Sequence, residues 1–149
     1  MSFQKPPLLI DTGSIVALFH NADMYHTQAR LIFQKLHSQY EFTTTVFVFH
    51  EICWLIKKKC GHEILVAFLK LMDDQPIFKI QELQPNWISL STKIIEKFSD
   101  HNFDMADISL VILADIVQCG EILTVDRKDF SILRWGPNAK SSFQNLFFD

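Results

Sequence analysis

Two short runs, Leu8-Leu9-Ile10 and Ile122-Leu123-Thr124-Val125, each stop abruptly at an aspartate, Asp11 and Asp126. Runs this brief and apolar suit strands buried on both faces, as in a covered parallel sheet. The β-prone stretch 42–45, the run 77–80 and a segment within 143–148 supply further strands. Between them apolar residues recur at helical spacing. Ala29, Ile32, Phe33, Leu36 and Tyr40 predict a helix over 27–40, after a short helical turn at 15–19. Helices are also expected over 46–59, around Leu65 to Met72, around Trp87 to Phe98, and over 103–117. Gly120 is expected at the C-cap of the last of these. Strands alternating with helices make an α/β fold, a mostly parallel sheet with helices on both faces.

That architecture says where chemistry belongs. In open parallel sheets, ligands sit outside the carboxyl ends of the strands. Asp11 and Asp126 each follow a strand, so they emerge at the same edge. The helix 103–117 feeds the strand that stops at Asp126, and its C-terminus must join that strand's start. Its N-terminus, with Asp104 and Asp107, therefore lies back at the carboxyl edge. An Asp with a second Asp three residues later also resembles a helix-capping pair favoured by the helix dipole. Asp104 is expected chiefly to start the helix and to support the site, and Asp107 to join the other acids. Glu51 is the odd carboxylate. Its helical neighbours are Phe47, Val48, Trp54 and Leu55, an apolar stripe. A carboxylate there is costly unless it is paired, hydrogen-bonded or metal-bound. The blander reading is a Glu at the stripe's edge reaching solvent. Its helix follows a strand, so the early turns also lie near the carboxyl edge.

Four acids crowded together repel, and their pKa values rise unless something compensates. Oxygen ligands with no His or Cys partner call for a hard cation, Mg²⁺ or Mn²⁺. Such ions serve phosphate chemistry, orienting a water and neutralising charge on an in-line displacement. The net charge allows a polyanionic substrate. Asp plus Glu number 17 against 14 Lys plus Arg, and setting five acids aside for a cation leaves 12 against 14. Lys57-Lys58-Lys59 and the group Arg127, Lys128 and Arg134 could form local basic patches, although solvated surface lysines explain the first run as well.

The remaining composition bounds the class. With 149 residues, 48% of them hydrophobic, and neither repeat nor linker-like run, one domain spanning 1–149 is expected. Three cysteines without a C-x-x-C pair argue against a disulfide framework or a structural zinc site. No signal-like or membrane-length apolar segment occurs, so a cytoplasmic protein without membrane contact is expected. Trp54 stands where the zinc-protease motif H-E-x-x-H needs its second His, and there is no Walker loop.

LLIDTGSIVALF, the Glu in VFHEICWLI, FDMADISLVILA and EILTVDRKDF stand in the order and spacing of PIN domains. The chain resembles the free-standing kind, the VapC-type toxins, over about residues 7 to 147. The resemblance implies a three-layer α/β/α sandwich, a PIN-like fold, in which four acids bind Mg²⁺ or Mn²⁺ and hydrolyse single-stranded RNA. It assigns Asp11, Glu51, Asp107 and Asp126 as catalytic metal ligands. Thr124 matches the Thr whose hydroxyl can hold a carboxylate in place. Asp129 is either a ligand or, as favoured here, a turn residue. Ser14 could orient Asp11, or simply start a helix. The resemblance further implies a homodimer and a cognate antitoxin, for which the Trp- and Phe-rich helices offer apolar surface.

Other classes fit less well. A receiver-type phosphoacceptor domain needs a nucleophilic Asp ending a central strand, and Thr43-Thr44-Thr45 offers none. A haloacid-dehalogenase-type phosphatase wants an Asp where Gly13 stands. A non-catalytic PIN-like scaffold that binds RNA or a partner, and a housekeeping RNA-processing nuclease, are the alternatives to a toxin ribonuclease.

Overall fold

The computed structural model describes residues 4–148. In chain order its elements are β1 (Pro7–Ile10), α1 (Thr12–Phe19), α2 (His26–Leu36), β2 (Glu41–Thr44), α3 (Val46–Cys60), α4 (His62–Asp74), β3 (Lys79–Ile80), α5 (Trp87–Lys97), α6 (Met105–Val117), β4 (Glu121–Leu123), α7 (Arg127–Ile132), β5 (Arg134–Trp135), β6 (Ser141–Ser142) and β7 (Gln144–Asn145). The sheet runs β3-β2-β1-β4-β7, and every pairing in it is parallel. Leu9 sits at its middle, in register with Thr43 on one side and Ile122 on the other.

Successive residues of a strand face opposite sides, yet Leu8, Leu9 and Ile10 are all fully buried. Both faces of the sheet are therefore covered, as the unbroken apolar run predicted. Among the helices, α6 is the most deeply embedded. Ala106 and every residue from Ile108 to Ala114 are buried, and the helix packs on α3, α5 and β1. The edge strands β3 and β7 have two residues each, which leaves little unpaired backbone for unwanted pairing.

Four helices begin at the carboxyl edge, capped by Asp11 (α1), Thr45 (α3), Asp104 (α6) and Asp126 (α7). Gly13 is what lets the first turn of α1 lie so close to the segment after β4, since a Cβ there would collide with the Val125 side chain. That approach brings Asp11 and Asp126 toward one another.

Several expectations need correction. The left-handed residue ending α6 is Gln118, with φ of 54°, and not Gly120. Gly120 instead lies against the Trp135 indole, where any side chain would clash. Helix α2 stops at Leu36, and Tyr40 donates to Glu121 Oε2 at 3.1 Å. The strand expected at 77–80 shrinks to Lys79–Ile80, because Phe78 is drawn into an aromatic cluster with Phe49 and Phe68. Strand β4 ends at Leu123, so Asp126 follows it by a short turn rather than directly. Helix α7 and the antiparallel pair β5–β6 were not foreseen.

Candidate active site

Asp11 is the best-anchored acid. Its backbone N–H donates to Leu123 O at 3.0 Å, so β4 fixes its main chain. Its Oδ1 accepts the Thr12 N–H at 2.8 Å and its Oδ2 accepts the Thr124 hydroxyl at 2.7 Å. Burial pushes the carboxyl up to about 6; the bonds from Thr124 and Thr12 oppose this, and the charges of Glu51 and Asp126 add to it. Ser14 does not touch the carboxylate. Its hydroxyl donates to the Asp11 carbonyl at 2.8 Å, the helix-start role.

Thr124 ties two acids together. While donating to Asp11, its hydroxyl accepts the Asp126 N–H at 2.9 Å. The Thr124 backbone is held in turn by Asn145, whose Nδ2 donates to Thr124 O at 2.9 Å. Asp126 caps α7, with Oδ1 accepting the Asp129 N–H at 2.9 Å. Asp129 is thus a local helix-start residue. Burial, with Asp126 alongside, pushes its carboxyl up.

Asp104 and Asp107 form a reciprocal capping box. Asp104 Oδ1 accepts the Asp107 N–H at 2.9 Å, and Asp107 Oδ2 accepts the Asp104 N–H at a long 3.4 Å. Asp104 is exposed, as a cap would be, whereas Asp107 is half-buried. Burial first, then the charges of Asp11 and Asp104, push Asp107 up to about 8. Glu51 is half-buried, between the two readings the sequence left open. Burial and the Asp104 charge raise it; Thr12 and His50 lower it. Thr12 Oγ1 is itself buried with no hydrogen-bond partner, and it lies near enough to Glu51 to favour the ionised carboxylate.

The fold sets Asp11, Glu51, Asp104, Asp107, Asp126 and Asp129 in the early turns of α1, α3, α6 and α7 or at their caps, close enough for each to feel the charge of another. Among the described residues, no three His, Cys, Asp or Glu side chains close on a single point as an ion would require. Three of these acids, Asp11, Asp104 and Asp126, also cap helices. The set is nonetheless all oxygen, partly desolvated and over-supplied with negative charge, which fits a hard divalent cation.

No family model matches the chain. Ribonuclease VapC26 of Mycobacterium tuberculosis is 26% identical over 127 residues, covering 85% of this chain and 92% of that protein. The crystal structure of M. tuberculosis VapC20, a Sarcin-Ricin loop cleaving toxin, aligns with TM-score 0.69 at 15% identity, over 82% of this chain and 92% of that one. The fold is PIN-like. The similarity to VapC-type PIN-domain toxins that the motifs carry holds in both comparisons.

Within this PIN-like frame, Thr12, Thr45 and Asn145 serve the site without having been singled out from sequence. Thr45 caps α3 through the Val48 N–H at 3.2 Å and meets Ser109 Oγ at 2.7 Å, joining α3, which carries Glu51, to α6, which carries Asp107. The only sequence signal was the run of three threonines after a strand.

Proposed function

We propose that this chain is an endoribonuclease that cleaves single-stranded RNA with Mg²⁺ or Mn²⁺, as the toxin of a toxin–antitoxin pair. The observation that carries this reading is the Thr124 hydroxyl, which locks Asp11 to the Asp126 backbone at the edge where the other acids gather. Similarity to Ribonuclease VapC26 and to the Sarcin-Ricin loop cleaving toxin VapC20 supports RNA as substrate and a toxin role.

Asp11, Glu51, Asp107 and Asp126 would hold the cation, which when bound supplies charge neutralisation at a phosphate and an activated water. Asp11 is the rigid member, its two oxygens fixed by Thr12 and Thr124. Asp107 is the adjustable one, because its side chain is tied only by the long bond from the Asp104 N–H. Asp104 keeps α6 capped, and Thr12 Oγ1 offers an unused donor and acceptor beside Glu51. The N-termini of α1, α3, α6 and α7 add partial positive charge that favours a phosphate at this edge.

A homodimer, a cognate antitoxin and a cytoplasmic setting belong to the same proposal. Ile88 and Ile95, seven residues apart on α5, are 64% and 49% exposed and leave an apolar stripe for assembly. The cysteines are free, in keeping with a reducing compartment. Among the described residues, no helix is long and apolar enough to cross a membrane.

The test is cleavage of a single-stranded oligoribonucleotide in Mn²⁺ and in EDTA. Internal cuts are expected only with metal, and not with Asp11→Asn. RNA that is bound but left intact by folded protein in Mn²⁺ would instead favour a non-catalytic scaffold.

A further inference from the structure

Helix α3 carries one continuous stripe that runs away from the acids: Phe47, Glu51, Trp54 and Lys58, spaced at i+4, i+7 and i+11. Trp54 is 56% exposed, an unusual position for so large an apolar ring. It walls a cleft of about 560 Å³ with Phe47, Leu55 and Met105, and the same cleft is lined by Glu51 and Asp104. The cleft therefore opens onto the carboxylate site, since Glu51 and Asp104 stand in its wall. Phe47 is braced edge-on by Trp87 at 5.1 Å between centroids, so the wall is stiff. Lys58 Nζ stands 4.8 Å from the centre of the Trp54 ring, and Lys57 and Lys59 flank it in the last turn of α3.

We propose that this cleft is a base-stacking subsite, with Trp54 as the platform for a single-stranded nucleotide next to the phosphate held at the acids. The inference rests on the nuclease reading and adds a substrate contact to it. Single-stranded RNA is gripped by stacking unpaired bases on aromatic side chains while cations follow the backbone. Both parts are present in the right order along α3. The acids lie at one end, the ring next, and the lysines beyond, with Glu51 and Lys58 about 10 Å apart at 1.5 Å per residue. A protein partner fits the cleft less well, because an apolar surface laid over Glu51 and Asp104 would bury two carboxylates with only His50 beside them in the lining. A nucleotide leaves them facing the cation and its phosphate.

The test compares wild type with Trp54→Ala and Trp54→Phe. Trp54 is exposed, so neither change opens the core. Two readouts are used: quenching of tryptophan emission by single-stranded oligo-RNA in EDTA, and steady-state cleavage in Mn²⁺. Trp54→Ala should lose most of the quenching and raise KM at least about fivefold, the low end of a base–aromatic stack. The effect on KM should exceed that on kcat, and Trp54→Phe should recover most of the loss in KM, although not the quenching, since the indole itself is gone. Wild-type quenching and KM retained in Trp54→Ala would overturn the proposal while leaving the nuclease reading intact. So would a halved mass by light scattering with KM unchanged, which would make Trp54 a contact between copies. If wild type cuts no RNA, the nuclease reading fails, and the emission titration still decides whether bases stack on Trp54.

Discussion

The two ends of the same parallel sheet are built from different material. At the amino end lies a cavity of about 1120 Å³, twice the volume of the cleft beside the acids. Lys5, His37, Glu41 and Lys79 line it, and all four are exposed. At the carboxyl end the space is smaller, yet Asp11, Thr12, Thr44, Thr45 and Thr124 are buried there. Burying such groups is costly, so their concentration at one end marks chemistry better than volume does.

The sharpest way to break that contrast is Asp107→Asn. Asparagine preserves the shape and the cap but removes a charge that burial, Asp11 and Asp104 already disfavour. Cleavage should fall on the order of 10²-fold or more, the scale for losing a group that stabilises reacting charge. The metal-free protein should melt at the same temperature or higher. Full activity would remove Asp107 from the site.

A smaller effect is expected from Thr124→Val, which strands Asp11 Oδ2 and the Asp126 N–H. Leaving buried partners unmade costs about 1–3 kcal/mol, readable in denaturant or heat. Cleavage should drop about 10–100-fold, as for other groups that orient a metal ligand. Thr124→Ser should restore both, because serine keeps the hydroxyl. Smallest of all is Tyr40→Phe at the amino end. It removes the bond to Glu121 from a half-buried ring and should cost at most about 1 kcal/mol. Its cleavage should match wild type, and a clear loss would show that the two ends are not separate in function.

The contrast was only partly legible in the sequence. An apolar run ending in an acid, as at Ile10-Asp11, announces both a covered strand and its carboxyl end. The Asp104–Asp107 spacing likewise announces a cap, because a long apolar helix follows it. The same spacing at Asp126–Asp129 also starts a helix, but α7 has only six residues and no stripe to reveal it. Thr12 and Asn145 gave no signal at all. Their roles depend on which backbone and side-chain groups the fold brings opposite them, and no local pattern encodes that. Gly120 misled in a different way. Glycine near a helix end usually supplies the left-handed residue, but here Gln118 takes it and the glycine makes room for Trp135.

The central claim is that these carboxylates share a cation, and metal-dependent melting tests it most directly. Asp11 and Asp107 are raised from 3.8 to about 6 and about 8. An acid raised by folding stabilises the folded chain below about pH 4, and that contribution is lost as pH climbs through each folded value. At pH 8 the metal-free protein should therefore be at its most burdened, and a shared cation should help most. With free Mn²⁺ at about 100 times its Kd the gain is about 2.7 kcal/mol, or roughly 5–10 °C for a chain of this size. The account predicts that rise in Tm at pH 8 relative to EDTA, sharply reduced in Asp107→Asn. Superimposed melts of the wild type in EDTA and in millimolar Mn²⁺ would contradict it.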